Sequence, residues 1–109
     1  MAPKFLTEAY ADPAQVIKGF NDARGWGKFH TPEHLAASIS IEAGELLECF
    51  QWGNDFNNPL DKSTVADELA DVMIYCLSLA NAMGLDASEI IMKKIKTNQA
   101  RFPVMEEDA

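Results

Sequence analysis

Four helix starts are written into this chain, and no convincing strand is. Asp12-Pro13 and Thr31-Pro32 each pair an N-cap residue with a proline at the first helical position, where its missing N–H costs nothing. A third start lies within Asp61 to Thr64. A fourth is Asp86, with Glu89 three residues on as a capping box. Apolar residues follow at helical spacing: Val16, Ile17, Phe20 and Ala23, then Ile39, Ile41, Leu46, Leu47 and Phe50, then Val65, Leu69, Val72, Met73, Cys76, Leu77 and Ala80. The stops are equally plain. Gly25 and Gly27 end the first helix, and the turn-rich GNDFNNPLDKS follows the second, which runs to about Phe50 or Trp52. Gly84 is a natural C′ residue behind Met83, and Pro103 stops the fourth helix after about Arg101. The expected fold is all-α: one compact, four-helix bundle-like domain over 1–109, with its core at about 12–103 and weakly held termini. Short connections favour antiparallel neighbours.

A length of 109 residues at 48% apolar content supports one small domain with a modest core. No run of 18 apolar residues exists, and MAPKFLTEAYADPAQ lacks a basic region followed by an apolar one, so a cytoplasmic location without membrane contact is expected. Cys49 and Cys76 lack zinc-type spacing and read as reduced core thiols. A net charge of −8 argues against nucleic acid as a partner. It leaves room for a small polyanion, because bound cations reverse the local field. The third helix is apolar over more than half its circumference, through Met73, Ile74, Leu77, Leu79 and Met83. Four short helices have little surface to cover it, so a homodimer or homotetramer is expected.

Carboxylates interrupt two of the apolar stripes. Glu42 lies between Ile39 and Leu46, and Glu45 shares its face at i+3. Glu68 and Asp71 repeat the spacing on the third helix, with Tyr75 continuing the face. The pattern is ExxE, 22 residues, then ExxD, and the interval holds a loop and a reversal. Four facing carboxylates cannot all ionise without a cation or protons among them. Oxygen ligands without His or Cys favour Mg²⁺, with Mn²⁺ as the alternative. Spacing alone leaves open the plainer reading of two solvated faces with ordinary ion pairs. A di-iron bundle fits worse, since neither His30 nor His34 follows a Glu by three.

With these motifs the chain resembles the MazG-like all-α nucleoside triphosphate pyrophosphohydrolases and, within them, the dCTP pyrophosphatase branch. FNDARGWGKFHTPEHL, EAGELLECFQW, ADELADVMIY and KIKTNQARFP fall in the order of that branch's blocks, from about Phe20 to Pro103. The resemblance implies hydrolysis between the α- and β-phosphates, giving a nucleoside monophosphate and pyrophosphate. It makes Glu42, Glu45, Glu68 and Asp71 the Mg²⁺ ligands, with Glu42 and Glu45 the catalytic candidates; the chemistry needs one glutamate, Glu45 or another, to accept the water's proton. It places Trp26, Trp52 and His30 at the base, and Tyr75, Lys94, Asn98 and Arg101 at the sugar or phosphates. Thr97 departs from it: many relatives carry a basic residue there, and here Lys93 and Lys96 stand nearby.

Without the resemblance, Trp26 and Trp52 would read as core, His30 as a turn residue beside the Thr31 cap, and His34 as structural. Glu48 reads as surface, and Glu33 suits the helix N-terminus. The expected function is a Mg²⁺-dependent enzyme that removes unwanted nucleotides, with dCTP or a related pyrimidine nucleotide as substrate. The alternatives are a relative acting on purine deoxynucleotides or dUTP, and a helical interaction module with an acidic face.

Overall fold

Each helix begins on a cap the sequence supplies. The computed structural model describes residues 12–53 and 61–104. Its elements are α1 (Pro13–Ala23), a short 3-10 turn (Trp26–Lys28), α2 (Pro32–Glu48), α3 (Lys62–Ala82) and α4 (Ala87–Arg101), with no strand among the described residues. Asp12 accepts from the Ala14 N–H, Thr31 from His34, Asp61 from Ser63 and Asp86 from Glu89. Each such cap stabilises by about 1 kcal/mol. The Ser63 hydroxyl also donates to Asp61 at 2.8 Å. That bond, then the Ser63 backbone N–H, holds the Asp61 carboxyl below its ordinary value. The terminal segments and most of the loop after Trp52 lie outside the described residues.

α2 and α3 pack antiparallel along their length: Glu42 meets Glu68 and Asp71, and Thr31 and Pro32 share a cavity wall with Asn81 and Ala82. α1 lies across α3, clipped there by two amides. Asn21 Nδ2 donates to Ser78 Oγ at 3.2 Å, and Asn81 Nδ2 donates to the Ala14 carbonyl at 3.0 Å. The core among the described residues is small: Ile17, Leu35, Cys49 and Ala80. Leu35 is 1% exposed.

Three expectations change here. Leu69, Met73 and Cys76 are exposed rather than core. α1 and α2 cover the α3 positions Val65, Glu68, Val72, Tyr75, Ser78, Leu79 and Ala80, and the apolar stripe is wider than that face. α2 ends at Glu48, short of Phe50, and leaves through turns to Trp52 and Gly53, both at positive φ. α4 does not fold back antiparallel on α3; the two axes turn through 101°. The joint is a Schellman cap, in which Gly84 (φ 67°) donates to the Asn81 carbonyl and Leu85 donates to Ala80. α4 buries no residue of its own and leaves Ile90, Ile91, Met92 and Ile95 about half exposed. No single described helix is long and apolar enough to cross a membrane.

Candidate active site

The antiparallel register of α2 and α3 brings the acids together. Glu42, Glu68 and Asp71 each offer an oxygen, and the three oxygens lie within 4.8 Å of one another. Glu42 Oε2 and Glu68 Oε2 are buried without a hydrogen-bond partner. An ionised carboxylate only accepts, so neither neighbour satisfies these atoms while all are charged. Protons relieve the conflict. Burial first, then hydrogen bonding to Glu45 and the charges of Glu45, Asp71 and Glu68, raise Glu42 above the ordinary glutamate value. Burial likewise leads for Glu68, followed by the charge and hydrogen bonding of Glu45 and the charges of Asp71 and Asp67. Orphaned oxygens, hard donors only and crowded negative charge fit a divalent cation such as Mg²⁺. Glu45 stands exposed at the rim, outside the tight trio but touching both raised groups. Glu48 is exposed as well.

A second feature lies toward the other end of the same helix pair. Gly25, at φ 66°, turns the chain sharply out of α1 into the 3-10 turn, a conformation that costs glycine nothing. Trp26 then packs edge-on against Phe20 at 5.6 Å and tilted against His30 at 5.8 Å. The Arg24 guanidinium sits 3.5 Å over the Phe20 ring and 5.8 Å from the Trp26 ring. His34 is held by the Phe29 carbonyl at 3.2 Å, which fits its structural reading. Beside His30 opens a cavity of about 360 Å³, walled by Asn21, Gly27, Thr31, Ser78 and Asn81. Tyr75, half-buried, stands on α3 between Asp71 and Ser78.

The remaining candidates are elsewhere in the single chain. Trp52 is 95% exposed and lies past the far end of α2, a helix of 17 residues and so about 25 Å long. Its backbone holds φ 58°, a left-handed conformation that strains a bulky residue. Lys94, Asn98 and Arg101 ride on α4. From Asp71 to Ala82 is 11 residues, about 16 Å of helix, and α4 then leaves at 101°. Lys94 makes no ion pair with the carboxylates among the described residues.

The MazG-like family model matches residues 37–109, the span that contains all four acids. The chain belongs to the MazG-like family. This MazG-like chain is 35% identical over 91 residues to dCTP pyrophosphatase 1 of Rattus norvegicus, with 78% of this chain and 54% of the relative covered. It thus spans about half the length of the curated relatives it first matches. It is 31% identical over 99 residues to the dATP/dGTP diphosphohydrolase of Cyanophage S-2L, covering 91% of this chain and 78% of that one. Its fold matches the crystal structure of a pyrophosphatase from Archaeoglobus fulgidus with a TM-score of 0.77 and 36% identity, over 89% of this chain and 94% of the other.

Asn21, Ser78 and Asn81 escape a reading of the sequence for chemistry. The signal was present: Ser78 interrupts the apolar stripe of α3 seven residues after Asp71, as the acids do.

Proposed function

We propose that this MazG-like protein is a Mg²⁺-dependent nucleoside triphosphate pyrophosphohydrolase, with Mn²⁺ as the alternative metal. It cleaves the α–β anhydride to a nucleoside monophosphate and pyrophosphate. The observation that carries the reading is the trio of oxygens from Glu42, Glu68 and Asp71, two of whose carboxylates keep a buried, unpartnered atom. When bound there, a divalent cation offsets charge on the phosphates and the leaving group and makes water a better nucleophile. Glu42, Glu68 and Asp71 hold it, with Glu45 at the rim as a further ligand or as the acceptor of the water's proton. Phosphoryl transfer asks the chain for positioning and charge neutralisation rather than covalent help. Tyr75 flanks the sugar, and Trp26 and His30 flank the base.

The described residues of one chain leave this site incomplete. A base against Trp26 is about 25 Å of helix away from the same chain's Trp52, and Lys94, Asn98 and Arg101 point off the bundle with α4. A homodimer or homotetramer supplies them from a second copy and covers Ile90, Ile91, Met92 and Ile95. The relatives' names support a nucleotide substrate, dCTP first. The phage relative keeps purine deoxynucleotides as the second substrate reading. Such an enzyme belongs to nucleotide-pool cleaning in the cytoplasm.

The deciding experiment is ion-exchange analysis of products from dCTP, dUTP, dTTP, dATP and dGTP with protein and Mg²⁺. Monophosphate plus pyrophosphate is expected. Diphosphate plus orthophosphate would contradict the bond assignment, and no turnover of any nucleotide would return the acidic face to the reading of an interaction module.

A further inference from the structure

The cavity beside His30 has a polar wall for which the carboxylate site gives no account. Asn21 Nδ2 donates to Ser78 Oγ, joining α1 to α3 at 3.2 Å in partly buried surroundings. Ser78 is buried and Asn21 half-buried, and both line the cavity. Ser78 follows Asp71 by seven residues, which puts it on the same face two turns along, about 10 Å away. Tyr75 stands between them. Asp71, Tyr75 and Ser78 therefore draw a line from the acidic trio to the cavity. A nucleotide laid along it, phosphates at the trio, sets its base beside Trp26 and His30 and against this wall.

The two amides of the wall differ in what they have left to offer. Asn81 Nδ2 is engaged by the Ala14 carbonyl. Asn21 gives one N–H to Ser78, and its second N–H and its Oδ1 have no partner among the described residues. Those two atoms form an edge with one donor beside one acceptor. That edge complements a base with an exocyclic amine next to a ring nitrogen, as cytosine has in N4–H and N3, and adenine in N6–H and N1. Uracil, thymine and guanine present the reverse order, a carbonyl beside a ring N–H. The bond from Nδ2 to the Ser78 hydroxyl holds the amide with its nitrogen on the Ser78 side.

We propose that Asn21, oriented by Ser78, reads the base edge and selects nucleoside triphosphates with amino-bearing bases over those with keto bases. The inference rests on the pyrophosphohydrolase reading and adds to it a specificity residue and the residue that positions it.

Pyrophosphate release by the full chain with Mg²⁺ tests it, using dCTP, dUTP, dATP and dTTP with wild type, Asn21→Ala and Ser78→Ala. Wild type is expected to prefer dCTP over dUTP. In Asn21→Ala the dCTP/dUTP ratio of kcat/KM should fall by about 5- to 150-fold, the loss of one bidentate base contact. It should appear as a raised KM for dCTP. Ser78→Ala keeps Asn21 but frees its amide to turn, so the ratio should fall there too. That variant carries the test if Asn21→Ala does not fold. An Asn21 that only fastened α1 to α3 would lower the rates with both nucleotides together and leave the ratio untouched. That result, or a wild type that does not discriminate, overturns the assignment. Wild type inert on every nucleotide instead ends the activity reading itself, and the two failures are told apart by wild type alone.

Discussion

Replacing Glu42 by Gln removes one of three crowded charges while keeping the size of the side chain. The oxygens of Glu42, Glu68 and Asp71 lie within 4.8 Å, inside the ~8 Å screening length of physiological salt, so their repulsion persists in ordinary buffers. Without metal the wild type relieves it by holding protons, since Glu42 and Glu68 both titrate above the ordinary 4.5. The folded chain holds those protons where the unfolded chain has released them. Stability is therefore fully present below 4.5 and is lost as pH rises through the raised folded values. Metal-free wild type should show a melting temperature that falls as pH climbs above 4.5. Glu42→Gln should fall less, and near neutral pH it should melt at or above wild type. Added Mg²⁺ reverses the order. At 100 times its Kd, linkage raises the melting temperature by about 10–20 °C for a chain of this size, and a tenfold weaker site loses about half of that shift. Turnover of Glu42→Gln should drop at least about 100-fold, as when a charge-stabilising group is removed. Thermal melts in EDTA and in a Mg²⁺ series, with pyrophosphate release on the same stocks, test all three. A variant that melts below wild type without metal near neutral pH, or keeps full turnover at limiting Mg²⁺, refutes the reasoning.

Leu35→Ala should cost about 2–5 kcal/mol in urea unfolding, because Leu35 is the one large side chain wholly enclosed among the described residues; a loss under about 1 kcal/mol would mean the α2–α3 seam repacks. Trp52→Ala should weaken binding of all four dNTPs by about 5- to 150-fold, the worth of one base stack, without lowering the melting temperature of a chain whose indole is 95% exposed. Equal affinity in equilibrium binding removes Trp52 from the base site. Light scattering should give two or four times the 12.0 kDa of the chain, and Ile91→Asp with Ile95→Asp should shift it toward one. A wild-type monomer across the micromolar range withdraws the shared site.

What the sequence tells is mostly local. Asp12, Thr31, Asp61 and Asp86 act as caps because a cap needs only its next three residues. The acidic trio was legible because i, i+3 spacing fixes a face and a reversal between two long helices leaves few registers. That Glu45 stays at the rim was not legible, since i+3 places a side chain on a face but not at a depth. The departure of α4 was hidden for another reason. Gly84 announces a stop, yet the new direction depends on what Ile90, Ile91 and Ile95 find to pack against, and the described residues of a single chain offer them little. Cys76 misled because an apolar stripe marks burial against something without saying whether that something is the same chain. Asn21 and Ser78 lie 57 residues apart, and neither residue type marks a site until the fold joins them.

Trp52 sets stability and chemistry against each other at a single position. Its backbone holds φ 58°, a conformation that costs a bulky side chain on the order of 1–3 kcal/mol and glycine nothing, and among the described residues its 95% exposed indole meets almost nothing to offset that cost. Trp52→Gly is thus a substitution that stability selection alone would favour, and one that deletes the proposed stacking surface. Thermostability engineering aimed at unfavourable backbone would choose this site early and, if Trp52 stacks on the base as proposed, trade activity for a higher melting temperature. An indole kept in left-handed backbone and in open solvent is a local departure from the most stable sequence, and such departures gather where a protein meets its ligand.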